Sequence, residues 1–203
     1  MKLLIFTDTH GDMRALKTLI KKSRDVDAVI CAGDMSIFER NLKDIIIQFR
    51  KFKKPVFVIP GNHEGNESLS EVCSDEETIF NVHKAAIGMD NLLVVGHGGG
   101  GFVENSPEFR SISEMLGKQI QKHRKEYKSA ISVLLTHQPP YNTKLDTIYE
   151  GMKTGNKDYR KFIRRFNPNL VVCGHIHETF GKKETLKNTL MMNPGPEGKI
   201  IEF

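Results

Sequence analysis

Short runs of Val, Ile and Leu alternate along this chain with segments whose apolar residues recur every three or four positions. That alternation restricts the fold more than any other feature. KLLIFT (Lys2–Thr7), AVICA (Ala28–Ala32) and PVFVIP (Pro55–Pro60) read as buried strands. Between them, Ala15, Leu16, Leu19 and Ile20, then Leu42, Ile45, Ile46 and Phe49 within Asn41–Phe52, mark the apolar faces of helices. Strand, helix and strand in succession predict parallel strands joined by right-handed crossovers, hence an α/β fold. NLLVVG (Asn91–Gly96), SVLLT (Ser132–Thr136) and LVVCG (Leu170–Gly174) are further strand candidates, and helical patterns cover about Ser111–Lys128 and Asp158–Phe166. From Thr185 to Phe203 there is no helical period. Short antiparallel strands are expected there, with a turn at Asn193-Pro194-Gly195. With 203 residues and no repeat or linker, a single domain over 1–203 is the expectation.

Composition excludes several classes. A 38% hydrophobic fraction together with 17 Gly is ordinary for a globular chain and too rich for a disordered one. No apolar run approaches the ~18 residues of a membrane span, and that of MKLLIFTDTH is too short for a signal-peptide core. The three cysteines, Cys31, Cys73 and Cys173, are odd in number and far apart, which suits a reducing cytoplasm better than a disulfide framework. No membrane partner is expected. Lys+Arg outnumber Asp+Glu by 30 to 25, a net +5. The basic residues fall in short clusters: Lys21-Lys22, Lys51 to Lys54, Lys122 to Lys128, Arg164-Arg165 and Lys182-Lys183. No aromatics interleave with them, so they read as solvated helix faces before they read as a nucleic-acid footprint.

The chemistry lies just beyond the strands. Asp8 and His10 follow the first, Asp34 the second, and Asn62 and His63 the third. His137 follows SVLLT, and His175 and His177 follow LVVCG. Ligands of open α/β sheets bind at the carboxyl ends of strands. Each residue alone has a bland reading: an Asp there often caps a helix, and a lone His is usually structural. Five strand ends delivering Asp, His or Asn to one edge is a different matter. Imidazoles, two carboxylates and an amide oxygen suit Mn, Fe, Co, Ni or Zn better than Mg or Ca. These donors are too many for one ion, and an Asp can bridge two.

The ordered blocks Asp8-Thr9-His10, Gly33-Asp34, Gly61-Asn62-His63-Glu64, Thr136-His137 and Gly174-His175-Ile176-His177 resemble the calcineurin-like metallophosphoesterases. That resemblance implies a four-layer αββα sandwich, two mixed β-sheets flanked by helices. It implies a first metal held by Asp8, His10 and His177, a second held by Asn62, His137 and His175, and Asp34 bridging. His63 would stand outside the metal shell as general acid or transition-state stabiliser, with Glu64 able to orient it. The cofactors would be two divalent transition-metal ions, manganese first among them, with Fe, Ni, Co or Zn as alternatives. The reaction would be hydrolysis of a small phosphodiester or phosphomonoester by direct attack of a metal-bridging hydroxide. A phosphodiesterase is favoured over a phosphomonoesterase, and a small substrate over a polynucleotide because DNA-processing members of the family usually carry extra capping domains. A nuclease, and after it a non-catalytic metal-binding scaffold, are the alternatives.

The run Gly96-His97-Gly98-Gly99-Gly100-Gly101 lacks the G-K-[ST] ending of a P-loop and reads as a loop at the mouth of the site, from which His97 could reach substrate. The segment His137–Ile163 offers Tyr141 as a further substrate contact, with Asn142, Lys144 and Arg160 behind it.

Overall fold

The computed structural model describes the backbone of residues 1–203 and every side chain except that of Glu150. Strands β1 (Lys2–Phe6), β2 (Ala28–Cys31), β3 (Val56–Val58) and β4 (Ile79–Asn81) run parallel, and β11 (Lys199–Glu202) adds to β1 antiparallel. The order is β11-β1-β2-β3-β4. The second sheet has the order β5-β6-β7-β8-β10-β9. In it β6 (Leu92–His97), β7 (Ile131–Thr136), β8 (Leu170–Val172) and β10 (Thr189–Met192) are parallel. Its antiparallel edges are β5 (Ala86–Met89) and β9 (Lys183–Leu186).

Successive strand side chains point to opposite faces, and here both faces are buried. Leu4, Phe6, Val29, Cys31, Val56 and Val58 pack against helices α1 (Met13–Lys22), α2 (Leu42–Phe49) and α3 (Asn66–Ser74). Leu3, Ile5, Ala28, Ile30 and Phe57 meet Leu92, Val94, Val133, Leu135 and Val172 between the two sheets. Leu93, Val95, Leu134, Val171 and Met191 pack under α4 (Pro107–Glu126) and α5 (Lys157–Phe166). Three apolar layers separate four backbone layers, the αββα sandwich that the family resemblance implied. Burial on both faces is why the strands read as unbroken apolar runs.

Several boundaries differ from the sequence pattern. α4 begins at Pro107, because Ser106 caps it by accepting from Phe109 N–H. α2 ends at Phe49 and passes into a 3₁₀ turn over Arg50–Phe52. The C-terminal strands form a β9–β10 antiparallel hairpin, but β10 also pairs parallel with β8. The turn after Asn193 then carries the chain from the second sheet to the first. α3, β4 and β5 had no counterpart in the sequence pattern. Among the described residues, no helix is long and apolar enough to cross a membrane.

Candidate metal centre

The parallel strands of both sheets end at the same edge, and the loops leaving them carry the site. Asp8 and His10 follow β1, Asp34 follows β2, Asn62 and His63 follow β3, His137 follows β7, and His175 and His177 follow β8. Asp12, by contrast, caps α1 by accepting from the backbone N–H of Arg14 and Ala15.

Backbone close approach brings these loops together. A Cβ on Gly61 would lie 1.9 Å from Asp34 Oδ1, and one on Gly174 would lie 2.1 Å from Thr7 Oγ1 and 2.3 Å from Asp8 Oδ2. The glycines of the G-N-H-E and G-H-x-H blocks are thus the space into which the two aspartates fit. Asp8, His10, Asp34 and His175 all have positive φ, at 53°, 45°, 50° and 68°. Non-glycine residues held there store strain that the surrounding contacts must offset.

Three groups of donors converge: Asp8, His10 and His177; Asp34, His137 and His175; and His10, Asp34 and His63. In the first, His10 Nε2 is 3.3 Å from His177 Nε2 and 3.9 Å from Asp8 Oδ1. In the second, His137 Nε2 is 3.3 Å from Asp34 Oδ2 and 3.0 Å from Asn62 Oδ1. Two atoms each ~2.1 Å from one ion, at tetrahedral or octahedral angles, lie ~3.0–3.4 Å apart. Asp34 belongs to two of the groups. Its Oδ1 accepts from His63 N–H at 3.0 Å, and its Oδ2 faces His137 and, at 3.9 Å, His63 Nε2.

The imidazoles are set up as ligands. His137 Nδ1 donates to the Ala32 carbonyl at 2.7 Å, and His10 Nδ1 to the Ser36 carbonyl at 3.4 Å. Each leaves Nε2 for the centre, the usual support of a metal-binding histidine. His175 Nε2 is buried and has no hydrogen-bond partner. A buried polar atom without a partner is costly, and a cation beside Asp34 and His137 would supply one. The residues fit divalent metal ions.

Charge separates the histidines. Burial disfavours the charged form of His137, but the hydrogen bond and charge of Asp34 outweigh it and raise the imidazole to about 9. Burial likewise works against the Asp34 carboxylate, yet His137 holds it down at about 2. For His175, burial dominates, with the His137 charge adding to it, and the imidazole falls to about 4. The metal-free site at pH 7 therefore holds a proton on His137 that an ion must displace. We expect about one proton released per ion at this position, and an affinity that climbs about tenfold per pH unit below pH 9. Calorimetric titrations in two buffers of different ionisation enthalpy measure this. Metal uptake with no net proton release would contradict it.

His63 is placed differently. Its Nδ1 accepts from Phe38 N–H at 3.4 Å, so in the neutral ring the proton sits on Nε2, the nitrogen facing Asp34. Glu64 does not reach His63. Its buried carboxylate accepts from the backbone N–H groups of Asp34, Ser36 and Gly61 and from Ser36 Oγ, at 2.7–2.9 Å. It ties the loop after β2 to the loop after β3, a role invisible in sequence because its partners are mostly distant backbone.

The two residues expected as substrate contacts have their own partners outside these donor groups. Buried His97 bonds through Nδ1 to Tyr159 Oη at 2.7 Å and through Nε2 to Glu108 at 3.1 Å. Gly96 and Gly98 approach the Val82 and Pro60 carbonyls closely, so the first two glycines of the run pack the loop down. Tyr141 has the Lys157 ammonium 5.1 Å above its ring and lines a groove with Asn142, Arg160 and Arg164. Phe38 and Phe102, which the sequence pattern does not single out, lie against the His63 and His175 rings at tilted angles of 57° and 54°.

Comparison with known proteins agrees with this geometry. The profile of a family described as calcineurin-like phosphoesterase matches residues 1–179. Among solved structures, TT1561 of Thermus thermophilus superposes with a TM-score of 0.72 at 18% identity, over 97% of this chain and 90% of that one. A dimetal phosphatase from Danio rerio gives 0.63 at 11% identity, over 94% and 86%. The phosphopantetheinyl hydrolase PptH of Mycobacterium tuberculosis gives 0.58 at 15%, over 96% and 88%. At these identities the likeness is one of fold. A search of curated proteins finds no match.

Proposed function

The chain belongs to the calcineurin-like phosphoesterase family, and on that premise we propose that it is a binuclear-metal phosphodiesterase acting on small phosphate esters. The observation that carries this reading is the sharing of Asp34 between two donor groups, with the orphaned His175 Nε2 in one of them. Asp8, His10 and His177 would hold one ion, Asn62, His137 and His175 the other, and Asp34 both. Bound there, two divalent cations such as manganese would supply a lowered pKa for a water and a counter-charge for the phosphoryl oxygens. The protein's own part is to position and to move a proton. Glu64 fixes the Asp34 and Gly61 backbone. Phe38 N–H keeps the His63 proton on Nε2, where it can stabilise or protonate a departing oxygen. Water attacks phosphorus directly, with no covalent intermediate. Apolar layers running through both sheets support reading 1–203 as one domain, and three buried free cysteines suit a reducing compartment.

Small esters are preferred on electrostatic grounds. Whereas Arg164 lines the groove beside Tyr141, Lys21-Lys22, Lys51 to Lys54 and Lys122 to Lys128 lie shortly before β2, β3 and β7. They therefore sit at the sheet edge opposite the metal centre, about 10–20 Å away at ~3.3 Å per strand residue. At physiological salt, charges beyond ~8 Å are largely screened. Lys182-Lys183, at the start of β9, is a second exception. The manganese-loaded protein should hydrolyse bis(p-nitrophenyl) phosphate faster than p-nitrophenyl phosphate, and cut neither DNA nor RNA efficiently at ~0.15 M salt. Efficient polynucleotide cleavage with inert small diesters would replace this reading with a nuclease.

A further inference from the structure

Phe38 is 78% exposed and Phe102 67%. Each lies against a histidine of the metal centre: Phe38 is 4.5 Å from the His63 ring, and Phe102 is 4.6 Å from the His175 ring. A phenylalanine left in water forgoes most of the stabilisation of burial. Single exposed apolar residues are ordinary, but these two come from different loops and each covers a histidine of the same centre. Each is followed or preceded by a half-exposed aliphatic neighbour, Ile37 at 43% and Val103 at 45%.

The backbone holds the rings in place. Phe38 itself has φ +47°, a region unfavourable for a bulky residue. The next residue, Glu39, has φ +61° and is clamped on both sides. Its N–H donates to the His63 carbonyl at 3.0 Å, and its carboxylate accepts from Gly65 N–H at 2.6 Å. Phe102 follows Gly99 and Gly100, both at positive φ, and the loop is anchored by Gly99 N–H on the Pro60 carbonyl. Two strained or pinned loops thus present large apolar surfaces beside a polar centre.

Resting on the phosphoesterase reading, we propose that Phe38 and Phe102 are stacking platforms that select phosphate esters bearing a planar aromatic or heteroaromatic group over small alkyl esters. Offset or edge contacts with a ring of the substrate would add to whatever the metals provide for the phosphoryl group.

The test is calorimetric binding of phenylphosphonate and methylphosphonate to the manganese-loaded protein, with metal content measured for each variant. The phenyl ligand should bind the unaltered protein about tenfold more tightly. Phe38→Ala and Phe102→Ala should each reduce that preference about twofold to tenfold, leaving methylphosphonate unchanged. Phe38→Tyr and Phe102→Tyr should retain it. Equal affinity for the two ligands, or alanine variants that weaken both alike, overturns the platforms alone. Failure of a two-metal protein to bind either ligand overturns the phosphoesterase reading and the platforms with it.

Discussion

Replacing His63 with alanine is expected to lower kcat for a small diester by roughly 10²–10⁴, with both metals retained. The imidazole belongs to one of the converging groups, yet it stands 3.9 Å from Asp34 Oδ2, and its Nδ1 is engaged by the Phe38 N–H. That arrangement suits a group that acts on the departing oxygen more than one that binds an ion. The effect should fall on kcat with little change in KM, because the interaction is made in the transition state. An ester with a better leaving group should be less sensitive to the loss. Unchanged turnover in a fully metallated variant would remove His63 from the mechanism, and loss of one ion would reassign it as a ligand.

Glu64→Ala is expected to have the largest effect on stability. The buried carboxylate satisfies three backbone N–H groups and one hydroxyl. Removing it leaves four donors unpaired at about 1–3 kcal/mol each. Partial rehydration offsets some of that, so a net loss of about 3–5 kcal/mol is expected, at the upper end for a single substitution. The same change frees Asp34, and an outer-shell loss of this kind typically weakens metal binding 10–100-fold. Urea unfolding of the metal-free protein separates the first effect from the second. A variant within about 1 kcal/mol of the parent would show that the loops are held together by other contacts.

Much of this was legible in the sequence, for reasons that particular residues make plain. Strands buried on both faces, such as Leu3 to Phe6 and Val133 to Leu135, leave continuous apolar runs that periodicity detects. The donors stand out because each follows such a run at the same end. The elements that went unseen are the weakly patterned ones. β4 has three residues, β5 is only partly buried, and α3 buries only Leu69 and Cys73. Glu64 looked like a partner for its neighbour His63, because adjacency in sequence is visible and a contact with Asp34 N–H, 30 residues away, is not. His97 stood next to a glycine run and so suggested a substrate loop, whereas its ring is turned to Tyr159 and Glu108. Phe38 and Phe102 were passed over because apolar residues are expected inside. Their significance rests on their exposure and on the rings beneath them.

The most direct test of a binuclear centre bridged by Asp34 is the number of manganese ions bound per chain, counted by elemental analysis during reconstitution while hydrolysis of bis(p-nitrophenyl) phosphate is followed. Two ions per chain are predicted, with hydrolysis rising as the second is taken up and Asp34→Ala losing at least one of them. A stoichiometry that never exceeds one, with that ion undisturbed by Asp34→Ala, would contradict the account.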